Sequence, residues 1–264
     1  MSNDKLRVPT MGQCMAEGKQ PEILFWVGSA GSFDDRAKKI TRAFVKILNK
    51  ANVDFAVLGT EESCTGDVAK RAGNEFLFQM QALMNIEVLN GYGIKKIVTC
   101  DPHSYNCLKN EYPGLGGNYE VVHHTQFIQD LINSEKLNVS GSLYKGKRIT
   151  FHDPCYLGRA NNEYNAPREV LKNTDADIVE MKRHKQTALC CGAGGAQMFK
   201  EPEKGDKDIN VLRTEDALST KPNIIATGCP YCITMMTDGV KNKEKEDTVK
   251  VMDIAEIIAT AEEL

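Results

Sequence analysis

Residues 99–106, TCDPHSYN, and residues 227–234, TGCPYCIT, align at an offset of 128. Each begins at the threonine that ends an apolar run and places a proline where a helix can start. The alignment pairs Asp101 with Cys229 and Ser104 with Cys232. Two more landmarks precede it in each half, both at an offset of 126. Ser29 pairs with Cys155, and Cys64-Thr65-Gly66 pairs with Cys190-Cys191-Gly192. Three landmarks in one order at a nearly constant spacing read as an internal duplication.

The stretches between the landmarks alternate short apolar runs with longer amphipathic ones. EILFWVG (22–28), DFAVLG (54–59), KKIVTC and YEVVHH read as strands in the first half. Between them, 34–51, 66–90, PHSYNCLKNEY and TQFIQDLINSE carry helical spacing, with Asp34 and Asp35 suited to a helix start. The second half repeats the order, with strands KRITFHD (147–153), DIVEMK, NIIATG (223–228) and VKVM. Its helices are APREVLKNT, DINVLRTEDALST, PYCITMMTDGVKN and DIAEIIATAEE. The expected fold is α/β: two similar Rossmann-like halves, each a mostly parallel sheet flanked by helices, related by duplication. The expected division is a polar N-terminal arm at 1–21, a first half at 22–140 and a second at 141–264, with 134–147 as the linker.

Composition excludes several classes. A net charge of -3 over 264 residues, with no basic stripe, argues against a nucleic-acid partner. The longest apolar runs are too short to span a bilayer, and the N-terminus lacks an apolar signal core, so a cytoplasmic location is expected. In a reducing compartment, nine cysteines point to metal ligation or redox chemistry rather than to disulfides.

In the second half, thirty-four residues separate Cys155 from Cys190-Cys191, and thirty-seven more lead to Cys229-x-x-Cys232. Each group lies just past an expected strand. Open parallel sheets collect ligands at the carboxyl ends of their strands, so five sulfurs are expected at one edge. Pro230 can open a helix whose N-terminus favours thiolate. Gly192, Gly194 and Gly195 suggest backbone passing close to something bulky. Five thiolates repel one another unless a cation joins them. Zinc closes its shell with four ligands, leaving a fifth cysteine surplus, whereas iron–sulfur clusters offer several soft metal positions. The balance leans toward an unusual cluster, with zinc still open.

HDPCYLGR, LCCGAGGAQMF and TGCPYC together resemble the cysteine-rich CCG-domain family, and the resemblance spans nearly the whole chain. That family includes the B component of heterodisulfide reductase and the iron–sulfur subunits of glycolate and lactate oxidation systems. Its pattern is a lone cysteine, then Cys-Cys-Gly, then Cys-x-x-Cys, usually in two copies. The resemblance implies a noncubane [4Fe-4S] cluster on Cys155, Cys190, Cys191, Cys229 and Cys232. Because some copies in the family hold zinc, a zinc-bound scaffold protein of an oxidoreductase complex is the alternative. The first half departs from the pattern: Ser29, Cys64, Thr65, Asp101 and Ser104 offer one thiol, and no cluster is expected there.

The resemblance implies an oxidoreductase subunit that carries single electrons or acts on a thiol or disulfide. It also implies a partner bearing flavin or ordinary iron–sulfur clusters, with some relatives linked to quinone at a membrane. His152 is the candidate catalytic group, placed to line the pocket and donate a proton or hydrogen bond to sulfur. Asp153 is expected to cap a turn, and His123 and His124 to pack at a strand end or bridge the halves. Cys100 and Cys107 are read as packed thiols, Cys14 as unrelated to the site, and ITMMTDGV as helix core. GAGGAQ (192–197) lacks the context of a phosphate-binding loop.

Overall fold

A computed structural model describes residues 6–139, 142–201 and 204–264. In the first half, β1 (Ile23–Trp26), β2 (Phe55–Ala56), β3 (Lys96–Thr99) and β4 (Glu120–His123) form a parallel sheet in the order β2-β1-β3-β4. In the second, β5 (Arg148–Phe151), β6 (Asp177–Ile178), β7 (Ile224–Thr227) and β8 (Lys250–Asp253) form another, in the order β6-β5-β7-β8. The register repeats as well as the order. Leu24 faces Ile97 and Phe25 faces Val98; at the offsets of the sequence, Thr150 faces Ile225 and Phe151 faces Ala226. Duplication is thus legible in the hydrogen-bond ladders themselves.

The helices of the first half are α1 (Met11–Ala16), α2 (Gly28–Phe33), α3 (Ala37–Lys50), α4 (Asp67–Arg71), α5 (Glu75–Gly91), α6 (Pro102–Asn106) and α7 (His124–Asn133). Those of the second are α8 (Asn165–Lys172), α9 (Ile209–Leu218), α10 (Pro230–Asn242) and α11 (Ile254–Ala261). Both faces of each sheet are covered, as parallel strands require. Alternation along β1 sends Ile23 and Phe25 into one cluster and Leu24 and Trp26 into another. The larger cluster is shared between halves: Phe44, Ile47 and Phe127 pack with Phe151, Leu171, Ile257 and Ile258. The helices α3 and α7 meet α11 and α8, so the halves form one body.

Polar contacts fix the seam. His124 Nε2 lies 2.9 Å from Asp253 Oδ1 with both side chains fully buried, and His123 Nε2 donates to Gly228 O at 3.1 Å. Arg36 pairs with Glu256 at 2.7 Å and donates to Val251 O. The two histidines therefore bridge halves.

Several expectations need correction. The helical stretch 66–90 is broken: Gly73 takes a φ of 88° and Asn74 caps α5, its side chain accepting from Leu77 N. DIVEMK pairs over two residues alone, since its register with β5 ends at Ile178. The segment GSAGSF, which has no helical spacing of apolar residues, is α2. The N-terminal arm docks through Arg7, which bonds to Asn49 and Asp54, with Met11 and Cys14 buried and Thr10 bridging Val57; residues 1–5 of that arm lie outside the described residues. The expected boundary between halves falls at 140 and 141, also outside the described residues.

Candidate metal centre

The site is built where strand order reverses. The parallel neighbours β5 and β7 send their connections to opposite sides of the sheet, to β6 and β8, the place where open α/β sheets put ligands beyond the carboxyl ends of the strands. Cys155 follows β5, Cys229 follows β7, and Cys190 and Cys191 arrive on the loop beyond β6. Cys229 caps α10, its sulfur accepting from Cys232 N at 3.5 Å, with Pro230 at the first turn. Gly192 has a φ of 93°, which lets its N–H turn back and donate to Cys190 Sγ at 3.3 Å.

The five sulfurs meet. Cys232 Sγ donates to Cys191 Sγ at 3.3 Å, and Cys155, Cys190, Cys191 and Cys229 lie near enough to shift the acidities of their neighbours. All are free thiols; Cys191, Cys229 and Cys232 are buried, and Cys155 and Cys190 are partly exposed. Their acidities show the frustration of the set. Donation from Cys155 and Cys191 pushes the Cys190 thiol down. The same bonding to Cys190 pushes Cys155 and Cys191 up, and contact with Cys191 and Cys229 pushes Cys232 up. Five thiolates need a cation.

His152 forms the floor. It is fully buried, and a ring nitrogen lies with the sulfurs of Cys191 and Cys232 in a group spanning 4.8 Å. Burial, then the neighbouring Arg213, lowers its pKa to about 3. Its Nδ1 accepts from Arg213 Nε at 2.9 Å, while its Nε2 and Arg213 Nη2 are buried with no partner among the described residues. Unmatched buried N–H donors cost roughly 1–3 kcal/mol each, so an acceptor-rich group fits beside them. The soft donor set and these orphan donors suit a sulfur-rich metal group.

Asp153 does more than cap a turn. It chelates Arg168 through both oxygens, at 2.7 and 3.0 Å, and accepts from Lys185 N. That pair ties β5 to α8 and to the loop leading toward Cys190. The glycines leave room along this loop. Gly192 and Gly195 serve positive φ, and at Gly194 and Gly195 no atom lies within 4 Å of where a Cβ would stand. Met236 is buried helix core, as expected.

The equivalent edge of the first half is closed by oxygen. Asp101 caps α6, accepting from the backbone of His103 and Ser104 and from Ser104 Oγ at 2.8 Å. Glu62 accepts from Val27 N and Gly28 N, and burial raises its pKa to about 7. Gly66 N donates to Cys64 Sγ at 3.5 Å, the counterpart of Gly192 and Cys190. Cys100 and Cys107 are packed thiols.

Sequence reasoning missed the residues that join the two edges. His103 Nδ1 pairs with Asp67 Oδ2 at 2.7 Å, and its ring stacks near Tyr156 and Tyr231, which lie close in sequence to Cys155 and Cys229. Asp67 is also held by Arg71, which reaches Glu111. A cavity of about 250 Å³ opens nearby at the seam, with Ser29 and Phe33 on one side and Met198, Phe199 and Tyr231 on the other.

A duplicated α/β chain with a five-thiol edge in one copy defines a class of cysteine-rich domain. The family described as Cysteine-rich domain (CCG) matches residues 23–109 and again 149–237, and this chain belongs to it. It is 51% identical over 253 residues to the probable iron-sulfur-binding oxidoreductase FadF of Bacillus subtilis (strain 168), covering 96% of this chain and 36% of that one. It is 47% identical to the EtfAB:quinone oxidoreductase of Syntrophomonas wolfei subsp. wolfei, over 94% of this chain and 35% of that one. It is 35% identical to one subunit of the dihydromethanophenazine:CoB–CoM heterodisulfide reductase of Methanosarcina barkeri (strain Fusaro), over 91% and 59%. The chain spans about a third of the first two relatives.

Proposed function

We propose that this chain is the iron–sulfur redox part of a multi-subunit oxidoreductase, and that Cys155, Cys190, Cys191, Cys229 and Cys232 hold a noncubane [4Fe-4S] cluster. The single observation that carries this reading is the meeting of five free thiols from three loops at one sheet edge. The buried, unmatched donors of His152 and Arg213 support it, as do relatives named for iron–sulfur binding and oxidoreductase activity. When bound, such a cluster accepts and passes electrons singly.

The chain's own residues do the rest. Three loops present sulfur, the Asp153–Arg168 pair sets the approach to Cys190, and burial keeps water from Cys191, Cys229 and Cys232. The first half carries no cluster; its edge is satisfied by its own oxygens. Electrons therefore come from a partner bearing flavin or ordinary iron–sulfur clusters. The outer face of α5 exposes Phe76, Leu77, Met80, Leu83 and Met84, an apolar patch of the sort subunit contacts bury. No helix among the described residues is long and apolar enough to cross a membrane.

Purification without oxygen, followed by iron, sulfide and zinc determination and a visible spectrum, tests the reading. About four irons and four sulfides per chain, with a coloured protein, are expected. One zinc without colour would replace it with the scaffold reading, and metal-free protein would leave a thiol site alone.

A further inference from the structure

His152 carries a constraint that separates ligand from hydrogen-bond donor. An arginine Nε bears a hydrogen and has no lone pair to offer, so its bond to an imidazole nitrogen has one direction. Arg213 Nε donates to His152 Nδ1 at 2.9 Å. A neutral imidazole has one N–H, and with Nδ1 accepting, that hydrogen is on Nε2. Arg213 cannot swing away at little cost. It is fully buried on α9, and its Nη1 donates to Arg183 O at 2.7 Å and to Asp216 Oδ2 at 3.0 Å. Asp216 is in turn held by Arg183.

For Nε2 to bind a metal, its hydrogen would have to move to Nδ1, against the N–H of Arg213, or be lost to give an imidazolate. Metal-ligating histidines do the reverse: the free ring N–H donates outward to an acceptor. Here the outward partner is itself a donor. Yet Nε2 is buried without a partner among the described residues, and a ring nitrogen of His152 lies in one 4.8 Å group with the sulfurs of Cys191 and Cys232.

Resting on the reading that the thiols hold a cluster, we infer that Arg213 fixes His152 as an Nε2–H donor to a metal-bound sulfur of Cys191 or Cys232, and that His152 is not a ligand. Arg213 is a positioning residue, because it acts through the histidine. A hydrogen bond to a metal-bound sulfur stabilises the extra negative charge of the reduced state, so it raises the reduction potential without changing how much metal is bound.

Pulsed EPR of the reduced, unmutated protein tests this without any variant. The expected result is the weak nitrogen coupling of a hydrogen-bonded ring and an exchangeable proton coupled to the cluster. Strong coupling from a directly bound nitrogen overturns the inference. His152→Leu and His152→Asn give the second readout. Both are expected to keep the wild-type iron and sulfide content; His152→Leu lowers the midpoint potential, and His152→Asn, which retains an N–H, recovers part of the drop. Loss of iron in both, or an unchanged potential in His152→Leu, contradicts it. Wild-type protein without iron sinks the cluster reading first; iron-loaded protein with a ligating histidine sinks this inference alone.

Discussion

The two halves carry the same three loops at the same sheet edge and close them with different elements. Beyond β7, Cys229 caps α10 with sulfur; beyond β3, Asp101 caps α6 with oxygen. Gly192 turns its N–H onto Cys190 as Gly66 does onto Cys64. The first edge then completes itself, with Asp101 bonded to Ser104 and Glu62 to the start of α2. The second does not: its thiols shift one another's acidity in opposite directions, and donors on His152 and Arg213 go unmatched. Duplication kept the backbone device, and on the proposed reading side-chain chemistry decides which copy takes a metal.

The sharpest way to break this contrast is a matched pair of substitutions. Cys191→Ser is expected to cut iron and sulfide content at least about tenfold, since a hard oxygen replaces a buried soft donor. Cys64→Ser should leave both unchanged. Equal losses in the two variants would place metal in both halves.

Metal removal comes next. Chelation of iron should lower the melting temperature, because a group that binds only the folded state adds about 2.7 kcal/mol at a hundredfold excess over its dissociation constant. Increased protease cleavage should be confined to the loops at 155–163 and 188–201, with the first-half edge untouched. Cleavage at 59–66 would contradict the self-sufficiency of that edge.

Breaking the buried Asp153–Arg168 pair tests whether the second edge also needs its scaffold. Asp153→Ala leaves a buried guanidinium with Glu180 as its one charged partner among the described residues, and is expected to cost about 3–5 kcal/mol in denaturant unfolding. A loss below about 1 kcal/mol would mean that Glu180 suffices.

The smallest effect concerns the charge network of the first half. Burial opposes a charge on His103, but the bond to Asp67 and the charges of Asp101, Cys229 and Asp67 outweigh it, and its pKa rises to about 9. A raised histidine stabilises the fold fully below its unfolded pKa, near 6.5, and loses that contribution as pH climbs through about 9. Wild type should therefore lose up to about 2–3 kcal/mol between pH 7 and 10 from this residue. His103→Gln should flatten that part of the curve, and identical slopes would refute the assignment.

The fold was largely legible because duplication gives each element a second witness. TCDPHSYN and TGCPYCIT lie on the same strand-to-helix turn, and α10 spans the stretch expected for it. Where local signals conflict, periodicity misleads: apolar residues run through 66–90, and Gly73 and Asn74 alone mark the break. GSAGSF carries no apolar face, and α2 is held instead by Glu62 and by contact with α3. Of the candidate site, the sulfurs could be read from spacing. Arg213 could not, since an arginine in DINVLRTEDALST has the pattern of a solvated helix face. Nor could His103 and Asp67, whose meeting depends on how β3 and β2 lie in one sheet. Their only trace in sequence is position: His103 matches Tyr231 in the duplicated motif, and each sits between the capping residue and its partner.

Anomalous diffraction at the iron edge, from crystals grown without oxygen, tests the central claim most directly. A compact group of iron peaks within bonding distance of Cys155, Cys190, Cys191, Cys229 and Cys232, with none near Cys64, is the predicted map. A single zinc peak on four of those sulfurs, or iron beside Cys64 and Asp101, would contradict it.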